Sequence, residues 1–384
     1  MAIDFSLDDD QILLRDNVRR FMRERVAPIV AAHEQREEFA WDLLPDLAQF
    51  GYIGGLLPEE RGGYGMGFID WALLMEEAGY HWLSMRVLLS TLNIVARLLD
   101  RHATPAQRER FLQPLLACER RIWVGITEPN HGSNVAGIET KAVDQGDHYL
   151  VNGGKLWITN GIHGDFGVLV VKTYSATCDG GLSLLLVDRR ETPYEARRVG
   201  TMFIKSTGTS ELRFSDAVVP KANLLGAEGE GLKAMLAGLN YGRLNVAMGA
   251  VGAAQAALDL SIDYAKNRTQ FGRAIGGYQL VQKLIVDMTV RTEAARALGY
   301  KAAWALQQGG AARTECSIAK LYATEAAHEV ASMALQVHGG LGYSVDYPIE
   351  RIFRDTRGGM IPEGTSEIQT LIIGREILGL SAFQ

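Results

Sequence analysis

One carboxylate near the C-terminus stands where a chain could hold a catalytic base. Glu363 lies in the stretch IPEGTSEIQ, residues 361–369, between Pro362, which restricts the backbone, and Gly364, which permits a sharp turn. An apolar helical pattern begins at Ile368. Such a loop tip can present an acid to a pocket, although a solvated glutamate that caps the following helix explains the nonapeptide equally well.

Two stretches in the middle of the chain combine hydroxyl groups with an aromatic ring. TEPNHGSN, residues 127–134, suits a polar ring bound by backbone amides and hydroxyls, and its alternative is a capped irregular turn. KLWITNG, residues 155–161, reads as a strand with Trp157 and Thr159 on one face. A tryptophan buried in the core is the commoner explanation of that second pattern.

Two later stretches end predicted helices with side chains that could bind a nucleotide. NRTQFG, residues 267–272, places the cation Arg268 beside Gln270 and Phe271, a set that could recognise a pyrophosphate and an aromatic ring. Its alternative is a helix end with a favourable arginine. QVHGGLGYS, residues 336–344, has glycines that permit close backbone approach to a ligand, and a glycine C-cap explains it as well.

These stretches lie in three regions of different periodicity. From Ser6, as the predicted N-cap, apolar spacing predicts a helix to Pro28 and then further helices to about residue 120. Short runs separated by Asn-Gly, Asp-Gly and Gly-Gly signals predict strands at 148–152, 155–160, 166–173, 182–188 and 211–219. Long helical patterns follow at 232–267, 278–308 and 311–337.

The spacing of the strands leaves no room for crossover helices, so an antiparallel barrel or sandwich fits better than a parallel sheet. The three long helices indicate an up-and-down bundle. We therefore expect an α+β protein with an N-terminal helical domain (1–120), a middle antiparallel β domain (121–230) and a C-terminal helical bundle with the loop of Glu363 (231–384).

Composition and missing motifs exclude several classes of function. The formal net charge of −6, without a basic block, disfavours nucleic acid or an anionic membrane as the main partner. Three widely spaced cysteines and eight dispersed histidines suggest neither a disulfide framework nor a metal site. An acidic N-terminus and no apolar run of about 20 residues predict a soluble cytoplasmic protein. Motifs of Rossmann, P-loop, zinc-hydrolase and α/β-hydrolase enzymes are absent from the sequence.

Taken together, the five stretches resemble the signatures of the acyl-CoA dehydrogenase family, and the likeness covers nearly the whole chain. ITEPNHGSN and KLWITNG are similar to its flavin-binding segments, and RTQFGRAIGGYQLVQ to its second signature. QVHGGLGYSVDYPIERIFRD and PEGTSEIQ resemble its C-terminal pair. The family's fold has an N-terminal helical domain, a middle antiparallel β domain and a C-terminal four-helix bundle.

The resemblance implies FAD, with site residues carried over by their place in the motifs. Those expected around the isoalloxazine ring are Thr127, Ser133, Trp157 and Thr159, with Thr365 from the loop. Those expected to hold pyrophosphate and adenine across a subunit boundary are Arg268, Gln270 and Phe271, with Gln336, Gly339 and Gly340 from the neighbouring chain. The family further implies a homotetramer and an electron-transfer flavoprotein as electron acceptor.

Glu363 falls on the position of the family's catalytic base, which removes an α-proton while a β-hydride passes to the flavin. Burial would raise the pKa of this carboxyl and strengthen the base. The family binds the thioester oxygen through the base's own backbone N–H and a ribityl hydroxyl, and Gly364 belongs with the substrate-binding residues. Some relatives take the base from a position that is Gly242 here, and the adjacent Arg243 matches an arginine at the substrate mouth.

Three residues bear on the identity of the acyl group. Arg86 lies near an arginine with which glutaryl-CoA dehydrogenases bind a distal carboxylate, whereas a surface or ion-paired helix arginine is the alternative. Alicyclic acyl-CoA dehydrogenases look similar too, so a ring substrate stays open. Pro362 stands where many members of the family have tyrosine, and Glu367 stands where many have glutamine.

We also keep two other functions open, a flavin oxidase on the same fold and a catalytically silent acyl-CoA-binding homologue.

Overall fold

Helices form both ends of the chain and strands form its middle in the computed structural model, which describes residues 6–382 apart from the side chains of residues 237 and 239. The helices of the first part are α1 (Asp9–Phe21), α2 (Val30–Arg36), α3 (Leu44–Gln49), α4 (Phe68–His81), α5 (Leu83–His102), α6 (Pro105–Gln107) and α7 (Gln113–Leu116). Those of the last part are α8 (Gly231–Asn267), α9 (Gln279–Gln307), α10 (Arg313–His338), α11 (Pro348–Gly358) and α12 (Ser366–Leu378).

The middle of the chain forms one eight-stranded sheet. Its strands are β1 (Ile122–Gly125), β2 (Lys141–Asp144), β3 (His148–Ile158), β4 (Phe166–Tyr174), β5 (Asp179–Asp188), β6 (Glu195–Arg198), β7 (Ser210–Pro220) and β8 (Leu224–Leu225). They are ordered β6-β7-β3-β2-β4-β5-β8, and β1 also pairs with β4. Five of these pairings are antiparallel, as predicted, and β1–β4 and β2–β4 are parallel. A two-stranded hairpin, β9 (Thr269–Gln270) and β10 (Arg273–Ala274), lies between α8 and α9.

Two local predictions were wrong. Asp8, not Ser6, caps α1, because its carboxylate accepts a hydrogen bond of 2.8 Å from the backbone N–H of Gln11. The predicted strands 148–152 and 155–160 form one strand, β3, because Gly153 provides a bulge rather than a turn. Gly153 has a φ of +146°, and a Cβ there would lie 2.6 Å from the Cα of Thr140.

A stripe of small side chains buries one face of α10. Its apolar members recur every three or four residues and are Cys316, Ala319, Ala323, Ala326, Ala327, Val330, Ala331, Ala334 and Val337. This helix packs against α9, α11 and α12. Lys320 and Thr324 share the stripe and are fully buried, so α10 carries a cation into the helical core.

Contacts divide the chain into two compact units, each built from several segments. The first comprises Met1–Gln35, Met66–Arg86 and Arg243–Gln384, and the second comprises Arg36–Gly65 and Val87–Gly242. The predicted domain boundaries near 120 and 230 stay predictions, and residues 1–5 and 383–384 lie outside the described residues. None of the helices within 6–382 is long and apolar enough to cross a membrane.

Helices α4 and α8 of the first unit cross at glycines. A Cβ on Gly79 would lie 2.1 Å from the carbonyl oxygen of Gly249, and one on Gly252 would lie 1.9 Å from that of Glu76. Since real Cβ atoms never approach so closely, only glycine permits this crossing. The crossing brings the end of α4 and the start of α5, where Arg86 lies, against α8.

Candidate active site

The loop between α11 and α12 holds Glu363 in a left-handed backbone conformation. Glu363 has a φ of +57° and Gly364 one of +93°. For a residue other than glycine this conformation is uncommon and is found chiefly at turns and functional sites. Thr365 then caps α12, and its Oγ1 accepts from the backbone N–H of Ile368 at 3.3 Å. The predicted base is therefore held at a fixed turn before a capped helix.

Two buried side chains hold the backbone of this loop. The amide of Gln369 donates to the carbonyl oxygens of Glu363, at 3.2 Å, and of Gly364, at 3.0 Å. The ammonium of Lys320, on α10, donates to the same Gly364 carbonyl at 2.8 Å. Gln369 and Lys320 are both fully buried. Sequence reasoning missed both, although a lysine in the alanine stripe of α10 was a usable signal.

Three buried cations lie within electrostatic reach of Glu363. Burial lowers the pKa of Arg86 to about 10 and of Lys320 to about 8, and it lowers the pKa of Arg243 as well. The charge of Glu363 opposes the shift in all three cases. By reciprocity these cations favour the ionised carboxylate. The predicted upward shift of the pKa of Glu363 by burial stays a prediction.

The side chain of Arg86 packs against Gly249. Its side chain is 5% exposed, so the alternative of a surface arginine is wrong. A Cβ on Gly249 would lie 2.7 Å from the Arg86 Nε and 2.8 Å from its Cδ. The Nε is buried and has no hydrogen-bond partner within residues 6–382. Gly249 therefore makes the room in which the arginine stem lies, a role that the sequence did not reveal.

A buried carboxylate fixes the chain just before Arg86. Glu34 of α2 accepts hydrogen bonds from the indole N–H of Trp82, at 2.7 Å, and from the hydroxyl of Ser84, at 2.6 Å. All three side chains are buried. Since Trp82 and Ser84 lie at the turn from α4 into α5, these bonds fix the direction in which α5 carries Arg86.

In the second unit, a buried ion pair ties the segment of Thr127 to strand β3. The ammonium of Lys155 donates to the Glu128 carboxylate at 2.7 Å and to the Ile126 carbonyl at 3.0 Å. Glu128 also accepts from the backbone N–H groups of residues 139 and 140. The backbone N–H of Leu156 donates to the Thr127 carbonyl at 2.9 Å. Thr127 and β3 are thus held together.

Trp157 leaves the regular strand. It has a φ of +63°, the register of β3 shifts between Lys155 and Ile158, and the strand ends there. The expected alternation that would place Trp157 and Thr159 on one face therefore does not hold. The indole is 55% exposed, so a core tryptophan is also excluded. Thr127 and Thr159 are half-buried and Ser133 is exposed.

The hairpin between α8 and α9 presents an aromatic ring at its tip. Phe271 and Gly272 form the two-residue turn of β9–β10, with φ values of +50° and +79°. The Phe271 side chain is 95% exposed, and Arg268 and Gln270 beside it are exposed too. At the end of α10, Gln336, Gly339 and Gly340 are also exposed. These residues lie in the first unit, whereas Thr127, Ser133, Trp157 and Thr159 lie in the second.

The side chains brought together in the first unit are acid–base and anion-binding groups. Arg86, Arg243, Glu363 and Gly364 belong to this unit, as do Lys320 and Gln369. No cluster of three or more metal-ligating side chains occurs in the described part of the chain. The arrangement suits proton abstraction beside a bound anion.

Family models match the chain in three consecutive segments. The N-terminal domain of acyl-CoA dehydrogenases matches residues 8–119, the middle domain matches 124–217 and the C-terminal domain matches 229–378. The chain belongs to the acyl-CoA dehydrogenase family. The resemblance inferred from the motifs, the family fold and the oxidoreductase class are thereby confirmed.

Individual acyl-CoA dehydrogenases and related proteins match over their full length. The short-chain specific acyl-CoA dehydrogenase of Clostridium acetobutylicum is 35% identical, over 98% of this chain and 100% of that protein. The CarC subunit of the caffeyl-CoA reductase–Etf complex of Acetobacterium woodii is 36% identical, over 95% and 97%. A glutaryl-coenzyme A dehydrogenase in complex with glutaryl-CoA has a TM-score of 0.93 at 33% identity, covering 98% of this chain and 97% of that one.

Acyl-CoA dehydrogenases depend on FAD, and the residues of this member fit that cofactor. Trp157 and Phe271 expose aromatic rings from left-handed positions that fold stability alone does not favour. Thr127, Ser133 and Thr159 add hydroxyls in the same compact unit as Trp157, and Arg268, three positions before Phe271, adds a cation. Stacking surfaces, hydroxyl donors and a cation are the groups that a flavin dinucleotide requires.

Proposed function

We propose that the chain oxidises an acyl-CoA thioester to a 2-enoyl-CoA, that Glu363 removes the α-proton, and that the preferred acyl group ends in a carboxylate. One observation supports this most directly. A buried arginine, Arg86, lies within electrostatic reach of the loop carboxylate Glu363. A base and an anion-binding cation thus share one compact unit, as the oxidation of a dicarboxylyl-CoA requires.

Glu363 acts as the base in its ionised form. The α-proton of a thioester is weakly acidic, so its removal requires a carboxylate placed against it in a pocket that excludes water. Arg86, Arg243 and Lys320 favour this ionised form before substrate enters. The turn at Glu363 and Gly364 fixes the direction of the carboxylate, and the backbone N–H of Glu363 supplies a donor for the thioester oxygen.

FAD, when bound, accepts the hydride that leaves the β-carbon. Trp157, Thr127, Ser133 and Thr159 of the second unit would hold its ring system. Arg268, Gln270 and Phe271 would hold the pyrophosphate and adenine of a cofactor bound mainly by a second copy of the chain. Gln336, Gly339 and Gly340 would complete that binding site across the subunit boundary. The marked exposure of Phe271, Tyr343 and Val345 supports this boundary, because apolar side chains so exposed indicate an interface.

The distal end of the acyl group meets Arg86. Glu363 is one charge that acts on the buried guanidinium, and a substrate carboxylate would supply a second anion in bidentate geometry. Gly249 leaves the stem of Arg86 in place for this contact, and Glu34 fixes the turn before it. Arg243 and Gly364, which belong to the same compact unit as Arg86, would bind other parts of the substrate.

We further propose a tetramer as the active assembly and an electron-transfer flavoprotein as electron acceptor. The cross-subunit cofactor site argued above requires a dimer, and a pair of such dimers would form the tetramer. The acceptor rests on a relative, since CarC of Acetobacterium woodii is a subunit of a reductase–Etf complex. Rapid reoxidation of the substrate-reduced protein by air would instead identify an oxidase.

The first prediction concerns the base. Glu363→Gln should retain FAD and bind acyl-CoA, because the two side chains have the same shape. It should slow anaerobic bleaching of the flavin by about 10²- to 10⁴-fold, the usual effect of a lost general base. Stopped-flow absorbance measures this rate. Glu109→Gln, at an exposed carboxylate, is the matched control, and bleaching of Glu363→Gln at the wild-type rate would place the base elsewhere.

A substrate panel separates the acyl groups. Bleaching rates are compared for glutaryl-CoA, cyclohexanecarboxyl-CoA, benzylsuccinyl-CoA, butyryl-CoA and octanoyl-CoA. A dicarboxylyl-CoA should be the best substrate, because Arg86 is a buried cation. Fastest bleaching by the cyclohexanecarboxyl thioester would support the alicyclic branch instead. A purified protein that is colourless and takes up no FAD would support a silent homologue.

A further inference from the structure

We propose that Lys320 is a positioning residue for the catalytic loop and that its ammonium holds the Gly364 carbonyl so that Glu363 faces the substrate α-carbon. This inference rests on the proposed role of Glu363 as the base. Lys320 lies on α10, 43 positions before Glu363 in the sequence. Its effect on the reaction would pass through the loop backbone and not through contact with substrate.

The burial of Lys320 is not explained by stability. The side chain is fully buried, and its hydrogen bond within residues 6–382 goes to the Gly364 carbonyl at 2.8 Å. An ammonium can donate three hydrogen bonds. Its removal from water is unfavourable unless anions surround it. Apolar side chains fill the neighbouring positions of the same helix stripe. A methionine would fit this stripe with less penalty.

The carbonyl that Lys320 binds already has a second donor. Gln369 donates to Gly364 O at 3.0 Å and also to Glu363 O at 3.2 Å. One donor suffices to satisfy a buried carbonyl, so the second is not needed for folding. Two donors from two different helices, α10 and α12, instead fix the position of the carbonyl in space.

The loop needs such fixation because its conformation is unfavourable. Glu363 adopts a φ of +57°, which costs about 1 kcal/mol or more for a residue other than glycine. Without restraint, rotation of this peptide would turn the carboxylate away from the pocket. A displacement of about 1 Å at a reacting group lowers a rate by about 100-fold. The ammonium also places a positive charge near the Glu363 carboxylate and keeps it ionised.

The test compares Lys320→Met with Lys320→Arg in the FAD-loaded protein. Lys320→Met should keep FAD and unfold at or above the wild-type temperature, because a buried charge is removed and Gly364 O keeps its Gln369 donor. Its flavin should be bleached about 10- to 100-fold more slowly at saturating acyl-CoA, with little change in the substrate concentration for half-maximal rate. Lys320→Arg, which retains a cation and donors, should recover part of the rate.

A non-oxidisable analogue isolates the proton-transfer step. An acyl-CoA with sulfur in place of the β-carbon can lose its α-proton but cannot deliver a hydride, and its anion beside oxidised flavin gives a long-wavelength absorption band. Lys320→Met should bind this analogue and show a weaker band than wild type. Lys141→Met, at an exposed lysine of β2, is the matched control and should match wild type.

The outcomes separate this proposal from the proposed function. If no acyl-CoA bleaches the wild-type protein, the proposed function fails. If wild type is bleached and Lys320→Met is within twofold of it, only the role of Lys320 fails. A lowered unfolding temperature with a normal band would assign Lys320 a structural role. If Lys320→Met binds no FAD, the side chain is needed for the fold or for cofactor binding, and the positioning role is overturned as well.

Discussion

Single residues decide whether the acyl pocket can recognise a second carboxylate. Arg86 is buried against Gly249, where a Cβ would displace the arginine side chain. Burial of an aliphatic side chain at this position would be more favourable in free energy than burial of this cation. The combination of Arg86 with Gly249 is therefore more informative about the substrate than either residue alone.

Arg86→Ala should weaken a dicarboxylyl-CoA selectively. Loss of the charged partner of a buried carboxylate corresponds to about 2 to 5 kcal/mol, or roughly a 30-fold or greater rise in KM for glutaryl-CoA. The KM for butyryl-CoA should change little, because that acyl chain has no distal charge. Steady-state kinetics with both thioesters measure the difference, and equal KM changes for the two would exclude a role in recognising the distal group.

Gly249→Ala is the second variant in that experiment. Its methyl group would displace the Arg86 stem by several tenths of an ångström, so the KM for glutaryl-CoA should rise in the same direction but less. Gly374→Ala, where a Cβ meets no atom within 4 Å, is the matched control. The two arginine-directed variants should not be additive, because both act on one contact.

Among the helices, strands and loops, the sequence predicted the positions of the functional segments better than it predicted their backbone conformation. The long helices and the motif at Glu363 were predictable, because 3.6-residue periodicity and Pro/Gly turn signals are local. The backbone of Trp157 was not, since its left-handed conformation follows from a register shift between β3 and β7. Lys320 was missed because the loop that it holds follows 44 positions later in the chain. Gln369 is close to the loop in sequence, but the motif does not show that its amide donates back to the loop carbonyls.

The pair of Glu128 and Lys155 should hold the predicted flavin segment of the second unit. Glu128→Gln leaves the Lys155 ammonium buried without its anion, which should destabilise the protein by about 3 to 5 kcal/mol. The double variant Glu128→Gln/Lys155→Met should regain most of that stability. FAD should still dissociate faster from it than from wild type, because the segment of Thr127 then keeps its backbone hydrogen bond to β3 but loses the ion pair.

Thermal unfolding and the rate of FAD release measure the two effects separately. Recovery of both properties in the double variant would make the pair a purely structural feature. Burial lowers the pKa of Lys155 to about 8, although the hydrogen bond that Lys155 donates to Glu128 opposes the shift. Single variants should therefore be compared at one fixed pH.

Across the whole molecule, burial shifts the pKa of many histidines in one direction. Of eight histidines in the sequence, five have a lowered pKa with burial as the main cause, namely His81, His102, His163, His328 and His338. A lowered histidine pKa means that the unfolded chain takes up protons before the folded chain does. These groups are distributed over both compact units, so their effect on stability does not belong to the active site.

The free energy of unfolding should therefore fall as the pH drops from about 6.5 to about 4. Burial and the charges of Arg19 and Arg23 lower the pKa of His81 to about 4. Unfolded His81 binds its proton near pH 6.5, so between these values the unfolded state holds more protons and acid favours it, by at most about 3 kcal/mol from this group. Denaturant unfolding at several pH values measures the slope. His81→Gln should flatten it, and an unchanged slope in that variant would show that His81 is not protected from protons in the folded protein.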